Sequence, residues 1–251
     1  MKHGSILDTT WNPVTGCTKV SPGCAHCYAE TITLRFKRGG PFLPGLATIK
    51  MHADRLNQPS SWRDPRMVFV NSMGDLFHEE VPFDFVNQVF EVIESCPQHT
   101  FQILTKRPER MLEFARDFRE AVQWPDNIWA GVSVENQYWA ERRIPLLREI
   151  SSSVRFLSCE PLLKPLTLDL QDIHWVIVGG ESGSKARPIE ESWVLDIQNQ
   201  CREAGVAFFF KQWGGITAKS GGRTLDGKTY DEYPKIYYEM NKNKQLISAF
   251  V

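Results

Sequence analysis

The sequence predicts an α/β fold: an open, partial β/α barrel of six or seven mostly parallel strands with outer helices. Three observations point there. Short runs of β-branched and aromatic residues alternate with stretches of helical spacing, several of those runs are apolar on both faces, and 251 residues is a length that one such barrel fills.

Residues 8–12 (DTTWN) are the least distinct strand and lead into a cysteine-bearing loop. Clearer strands follow at 68–72 (VFVNS), 101–105 (FQILT), 128–134 (IWAGVSV), 154–158 (VRFLS), 174–179 (HWVIVG) and 206–211 (VAFFFK), each bounded by turn residues. Helical spacing runs over 82–95, 108–120, 136–149 and 189–204, so the order reads β–α throughout. Pro145 is expected to kink or split the third helix. Residues 37–66, rich in Gly, Pro and Arg, read as a surface excursion with a short helix, and 214–230 as a flexible loop whose glycines supply the turns. No repeat or linker divides the chain, so 1–251 reads as a single domain ending in a C-terminal extension.

Hydrophobic residues make up 42% and charged residues 24%, the balance of a folded soluble chain. The 29 basic and 30 acidic residues nearly cancel, which excludes a long-range pull toward polyanions or anionic membranes; a nucleic-acid partner would need a local patch. Two are candidates, FKRGG at 36–40 and TKRPER at 105–110. The start carries no signal-peptide run and the chain has no long apolar stretch, so a cytoplasmic protein with no membrane partner is expected.

Six cysteines are too few for a disulfide scaffold, and their distribution is uneven. Cys17, Cys24 and Cys27 share one short loop punctuated by Pro22 and Gly23, while Cys96, Cys159 and Cys201 are scattered. Thiolates are soft donors, and a loop lets three converge where a straight helix or strand could not. In a four-iron cluster, three such ligands leave one iron open to a substrate or cofactor. A structural zinc site completed by His26 or a distant histidine is the competing reading, and three free thiols the third. A zinc knuckle normally uses two cysteine pairs, and no second pair of that spacing occurs. If zinc is the metal, the chain is a non-catalytic module that binds a nucleic acid or a protein.

The loop resembles that of the radical S-adenosylmethionine superfamily. Its context (TWNPVTGC, TKVSPGC, AHCYAE), together with VNSMGDLF at 70–77, LTKRP at 104–108, GVSVEN at 131–136, SCEPLL at 158–163, GGESG at 179–183 and FKQWGG at 210–215, resembles a phage-associated three-cysteine-motif branch of it. The resemblance implies that Cys17, Cys24 and Cys27 hold a [4Fe–4S] cluster. S-adenosylmethionine and an electron donor would be its partners, and cleavage of the sulfonium would yield a 5′-deoxyadenosyl radical. Six residues separate Cys17 from Cys24, where the superfamily usually has three.

The same resemblance assigns His26 to the cofactor's adenine, with Tyr28 next to it as a further cofactor-binding candidate, Gly74 and Asp75 to its amino group, and Ser133 and Glu135 to its ribose hydroxyls and carboxylate. Lys106, Arg107, Glu160, Glu181 and Lys211 also end strands, so a parallel barrel gathers them at one polar mouth, which Trp213 could close on one side. Cys159 at that mouth could donate a hydrogen atom to a substrate radical, as a cysteine does in a DNA-repair member of the superfamily. A nucleic acid or nucleotide is the expected substrate, and a neighbouring partner protein that completes the site is compatible with the sequence.

Overall fold

The structure is a computed structural model that describes residues 6–36, 48–118, 123–217 and 220–239. In chain order the elements are β1 (Thr9–Trp11), β2 (Val14–Thr15), α1 (Tyr28–Phe36), β3 (Lys50–Met51), β4 (Met67–Val70), α2 (Phe83–Glu94), β5 (Thr100–Thr105) and α3 (Pro108–Glu113). They continue with β6 (Ile128–Ser133), α4 (Gln137–Arg148), β7 (Val154–Cys159), β8 (Trp175–Gly179), α5 (Glu191–Ala204) and β9 (Ala207–Gln212).

Seven strands form one sheet in the order β1-β4-β5-β6-β7-β8-β9, and every neighbouring pair is parallel. Each strand therefore lies beside the one laid down before it. Crossovers of a single hand keep the helices on one face, and strand twist curls the sheet into a half-barrel, as expected. The strand at 8–12 is real, and pairs with β4.

Side chains alternate across this sheet with period two. Val68, Val70, Phe101, Ile103, Ala130, Val132, Leu157, Val176, Phe208 and Phe210 share one buried cluster with Phe85 and Val89 of α2, Ile144 of α4 and Ile197 of α5, which is the helix-facing core. Met67, Trp129, Phe156, Trp175, Ile177 and Phe209 form a second cluster on the concave face. Tyr233, Ile236 and Tyr237 pack against that cluster, Tyr233 meeting Trp175 at 5.3 Å and Tyr237 meeting Trp129 at 6.4 Å between ring centroids. An aromatic plug thus fills the barrel below the strands' carboxyl ends. Four of the eight tryptophans, Trp11, Trp124, Trp129 and Trp175, are fully buried.

Several expectations need correction. The order is not β–α throughout, because β7 and β8 are joined by a strap without a helix. Pro161 and Pro165 break any helix there, while Leu162, Leu166, Leu168, Leu170 and Ile173 bury against the core. The helix expected over 108–120 ends at Glu113 and passes into a π turn over Phe114–Phe118, which lets Phe114 reach Phe77, Phe83 and Phe90; residues 119–120 lie outside the described ones. Pro145 does not split α4, which runs unbroken around it. The carbonyl deprived of a partner belongs to Glu141, an exposed residue that water can reach.

The sequence reading missed α1 and the small antiparallel ribbon of β2 and β3, in which Val14 pairs with Met51. Within the excursion at 37–66 only residues 48–66 are described, and they hold that ribbon and two short 3-10 turns. The loop at 214–230 takes its turns from Gly214, Gly215, Gly222 and Gly227, all at positive φ, and Leu225 within it is fully buried.

Gly131 on the concave face is required by packing. A Cβ there would sit 2.4 Å from the ring of Phe156 on the neighbouring strand, inside the filled barrel. Gly131→Ala should therefore lower the unfolding free energy by about 1–3 kcal/mol in a urea titration, the usual cost of overpacking a filled core.

Candidate active site at the carboxyl edge

Because all seven strands run the same way, the loop after every one of them emerges at one edge. The segment from Cys17 to Tyr28 lies across that edge, and three acid–arginine pairs tie it down.

The first pair follows β4 and β5. Asp75 is buried and accepts from Thr105 Oγ1 at 2.8 Å, from the Phe77 N–H at 3.0 Å and from the Lys106 N–H at 3.2 Å. Arg107 Nη1 stands 3.3 Å from Asp75 Oδ2 and 3.5 Å from Cys17 Sγ. Its Nη2 donates to the Thr18 hydroxyl at 2.8 Å and carbonyl at 3.2 Å, and its Nε donates to Glu79 at 2.9 Å. His78 is fully buried and held below its usual pKa by burial, with Arg107 adding to the effect. Its Nδ1 accepts the Glu80 N–H at 3.1 Å, so the neutral ring carries its proton on Nε2 and donates to Thr18 Oγ1 at 2.9 Å.

The second pair follows β6. Glu135 has no exposed surface; its Oε1 accepts the Gly23 N–H at 3.3 Å and its Oε2 accepts Arg143 Nη1 at 2.9 Å. Arg143, on α4, also donates to the Ser133 carbonyl at 2.8 Å and lies over the Trp139 ring at 4.0 Å. Asn136 caps α4 by accepting the Trp139 N–H at 3.2 Å, which fixes where that ring stands.

The third pair follows β8. Glu181 accepts Arg187 Nη2 at 2.6 Å and Nε at 2.9 Å, and also His26 Nδ1 at 2.9 Å. Arg187 Nη2 continues to the Pro22 carbonyl at 3.0 Å. Burial works to raise the Glu181 carboxyl, but the bonds from Arg187 and His26 prevail and hold it below the usual carboxylate range. Gly180, beside it, lets β8 and β9 close up: a Cβ there would meet the Trp213 carbonyl at 2.0 Å. Tyr28 completes the attachment by donating its hydroxyl to the Ser72 carbonyl at 2.6 Å.

The remaining strand ends make the polar mouth. Lys106 Nζ donates to Ser133 Oγ at 3.1 Å, Lys211 Nζ to Glu160 Oε2 at 2.7 Å, and Gln212 Nε2 to Ser182 Oγ at 2.9 Å. Trp213 packs edge-on to Phe210, with centroids 4.7 Å apart.

The structure thus brings most of the expected site residues to one edge but gives several of them different duties. Asp75 and Glu135 direct their carboxylate oxygens to protein donors, and Gly74 makes its close approach to the backbone of Val14 and Gly16. Cys159 is not at the mouth. It is fully buried in the helix-facing core, where burial raises its thiol pKa well above the usual value and Cys201 of α5 adds to the rise. In TKRPER, Arg107 is buried, and Arg110 donates to the Val81 carbonyl and lies over the Phe83 ring at 4.3 Å, so neither guanidinium is free for a phosphate backbone. Of the other basic patch, residues 37–40 lie outside the described ones.

Arg143 and Arg187 were missed by the sequence reading. An arginine on an amphipathic helix or in a Gly-Ser loop, with another basic residue close by, looks like a solvated charge. The one available signal was their position, shortly after strand ends that carry Glu135 and Glu181.

The donor set at the loop fits a thiolate-bound group. Cys17, Cys24 and Cys27 are free and half-buried, whereas Cys96, Cys159 and Cys201 are buried. A guanidinium stands at Cys17, where the Asp75 carboxylate opposes it, and Arg143 lies within the electrostatic reach of Cys24. Among the described residues, no three His, Cys, Asp or Glu side chains are gathered at one point as for a metal ion. A cavity of about 1160 Å³ lies elsewhere, between the β7–β8 strap, α5 and residues 232–238, away from these thiols. No helix of the described residues is long and apolar enough to cross a membrane.

Burial pushes the Cys17 thiol up to about 11, with Asp75 adding to the rise and Arg107 opposing it. The thiol is therefore protonated at neutral pH, and its alkylation by iodoacetamide in metal-free protein should climb roughly tenfold per pH unit from 8 to 10. Peptide mapping at several pH values measures this; a plateau below pH 9 would contradict the assignment.

A family model described as protein of unknown function (DUF5131) matches residues 4–234 of the chain. No curated protein matches the sequence. Among solved structures, a spore photoproduct lyase mutant with bound AdoMet and dinucleoside spore photoproduct is similar at 12% identity, with a TM-score of 0.45 over 68% of this chain and 55% of that one. The chain thus spans about half the length of that lyase.

Proposed function

The chain belongs to the family described as protein of unknown function (DUF5131), and for this member of it we propose a radical S-adenosylmethionine enzyme whose [4Fe–4S] cluster is held by Cys17, Cys24 and Cys27. One observation carries the reading: three free, half-buried thiols share a loop fixed by charged pairs across the carboxyl edge of a parallel half-barrel, beside a polar mouth. Cys17, Cys24 and Cys27 would hold the cluster, which would supply one-electron reductive chemistry toward the cofactor's sulfonium with an electron from an external donor.

The chain's own residues bind, orient and exclude water. Lys106 and Ser133 offer donors suited to the cofactor's carboxylate. Glu160, held by Lys211, offers an acceptor for its ammonium or its ribose hydroxyls. Asp75 and Glu135 act indirectly, by fixing the loop. Tyr28 and His26 flank Cys27, and their attachments to Ser72 and Glu181 set the loop's closing turn where the adenine is expected. The aromatic plug of Trp129, Trp175, Phe209 and Tyr233 fills the barrel beneath, so water does not reach a reactive species from that side. A nucleotide or nucleic acid is the substrate class to assay first.

The test is anaerobic reconstitution with iron and sulfide, then incubation with S-adenosylmethionine and a low-potential reductant. A brown protein with about four irons per chain that forms 5′-deoxyadenosine is expected. Cys17→Ala, Cys24→Ala and Cys27→Ala should each abolish iron uptake and product, while Cys96→Ala and Cys201→Ala retain both. A colourless protein holding one zinc, or iron uptake that depends on Cys201, would overturn the assignment.

A further inference from the structure

We infer that Arg107 sets the reduction potential of the group bound at Cys17, raising it by donating an N–H to that sulfur; the inference rests on the cluster reading above. Arg107 Nη1 lies 3.5 Å from Cys17 Sγ, and the residue is only 7% exposed. Its orientation is fixed from three sides: Nη2 grips Thr18 twice, Nε grips Glu79, and the backbone N–H donates to Thr105 Oγ1 at 2.9 Å.

Pairing with Asp75 is one duty of the arginine and leaves its contact with Cys17 to be accounted for. That carboxylate already accepts from Thr105, Phe77 and Lys106, and its contact with Arg107, at 3.3 Å, is longer than its bond to Thr105 Oγ1 at 2.8 Å. Beyond that pair, Arg107 brings a buried N–H donor and its cationic charge to one thiol. The three cysteines are not equivalent in this respect. Cys24 Sγ has the Ser21 hydroxyl at 3.7 Å, and among the described residues no guanidinium other than Arg107 is within hydrogen-bond distance of a thiol of the loop.

The sign follows from charge. Reduction adds one negative charge to the bound group, and part of it resides on the ligand sulfurs. A cation and an N–H donor at one of those sulfurs stabilise the reduced form more than the oxidised form, which moves the potential upward. Glu79, 2.9 Å from Nε, and Asp75, 3.3 Å from Nη1, each oppose its field, so the effect of Arg107 is read as the change on removing it against these two fixed carboxylates. Arg107 acts through Cys17 and touches neither cofactor nor substrate in this account; it is a positioning residue.

Two substitutions should therefore move the potential in opposite directions. In an anaerobic redox titration of the reconstituted protein at low ionic strength, followed by electron paramagnetic resonance, Arg107→Gln should shift the midpoint to a more negative value. Glu79→Gln should shift it to a less negative value by a smaller amount, and added salt should erase that shift because the carboxylate is exposed. The Glu79 side chain is 61% exposed, so its variant folds and carries the test by itself if Arg107→Gln does not. Opposite shifts at wild-type iron content support the inference. Potentials unmoved in Glu79→Gln, or displaced the same way in both variants, overturn it and leave the cluster reading standing. A wild-type protein that takes up no iron overturns both.

Discussion

The clamping of one twelve-residue loop by three buried carboxylates governs the rest of this site. Asp75, Glu135 and Glu181 each follow a different strand, and each is paired with an arginine that reaches the Cys17–Tyr28 segment or supports a carboxylate that does. Without these contacts the loop would hang over the barrel on its own turns. The pairing is also obligatory. Removing one partner of a pair as buried as Glu135 and Arg143 strands a charge in a low-dielectric setting, a penalty of roughly 3–5 kcal/mol, so the clamp holds as a unit. Exposed pairs such as Arg116–Glu149 carry no such constraint.

The sheet makes this possible. Seven parallel strands in sequential order deliver seven loops to one edge, so acids separated by sixty or a hundred residues in the chain can brace the same segment. The opposite end is filled by aromatic side chains, several meeting edge to face. The molecule therefore has a dry, rigid lower half and a charged upper edge. The cysteine loop placed there is held by the protein's own contacts, and Arg107 gives Cys17 an electrostatic setting distinct from that of Cys24.

Much of this was legible in the sequence. The apolar runs gave the strands because burial beneath helices leaves little else to read, and the charged residues that close them marked the edge. The three close-set cysteines marked the loop. What the sequence concealed was partnership: whether Asp75 faces a ligand or a threonine thirty residues away is decided by register and rotamer. Arg143 and Arg187 look like ordinary surface cations until the fold places them against Glu135 and Glu181. Cys159 was expected at the mouth because it follows a strand, yet it is the last residue of β7 and alternation turns it into the helix-facing core, on the same side as Leu157. The helix-free strap after β7 was signalled by Pro161, Pro165 and the alternating leucines, which repeat with period two where a helix would need 3.6.

The most direct measurement of the central claim is low-temperature electron paramagnetic resonance of the anaerobically reconstituted and reduced protein, with and without S-adenosylmethionine. A cluster that leaves one iron without a protein thiolate should give a reduced-cluster signal whose g-values move when the cofactor is added, and the signal should be lost when any one of Cys17, Cys24 or Cys27 is replaced. A signal indifferent to the cofactor, or no iron signal in protein that has bound zinc, would contradict the account.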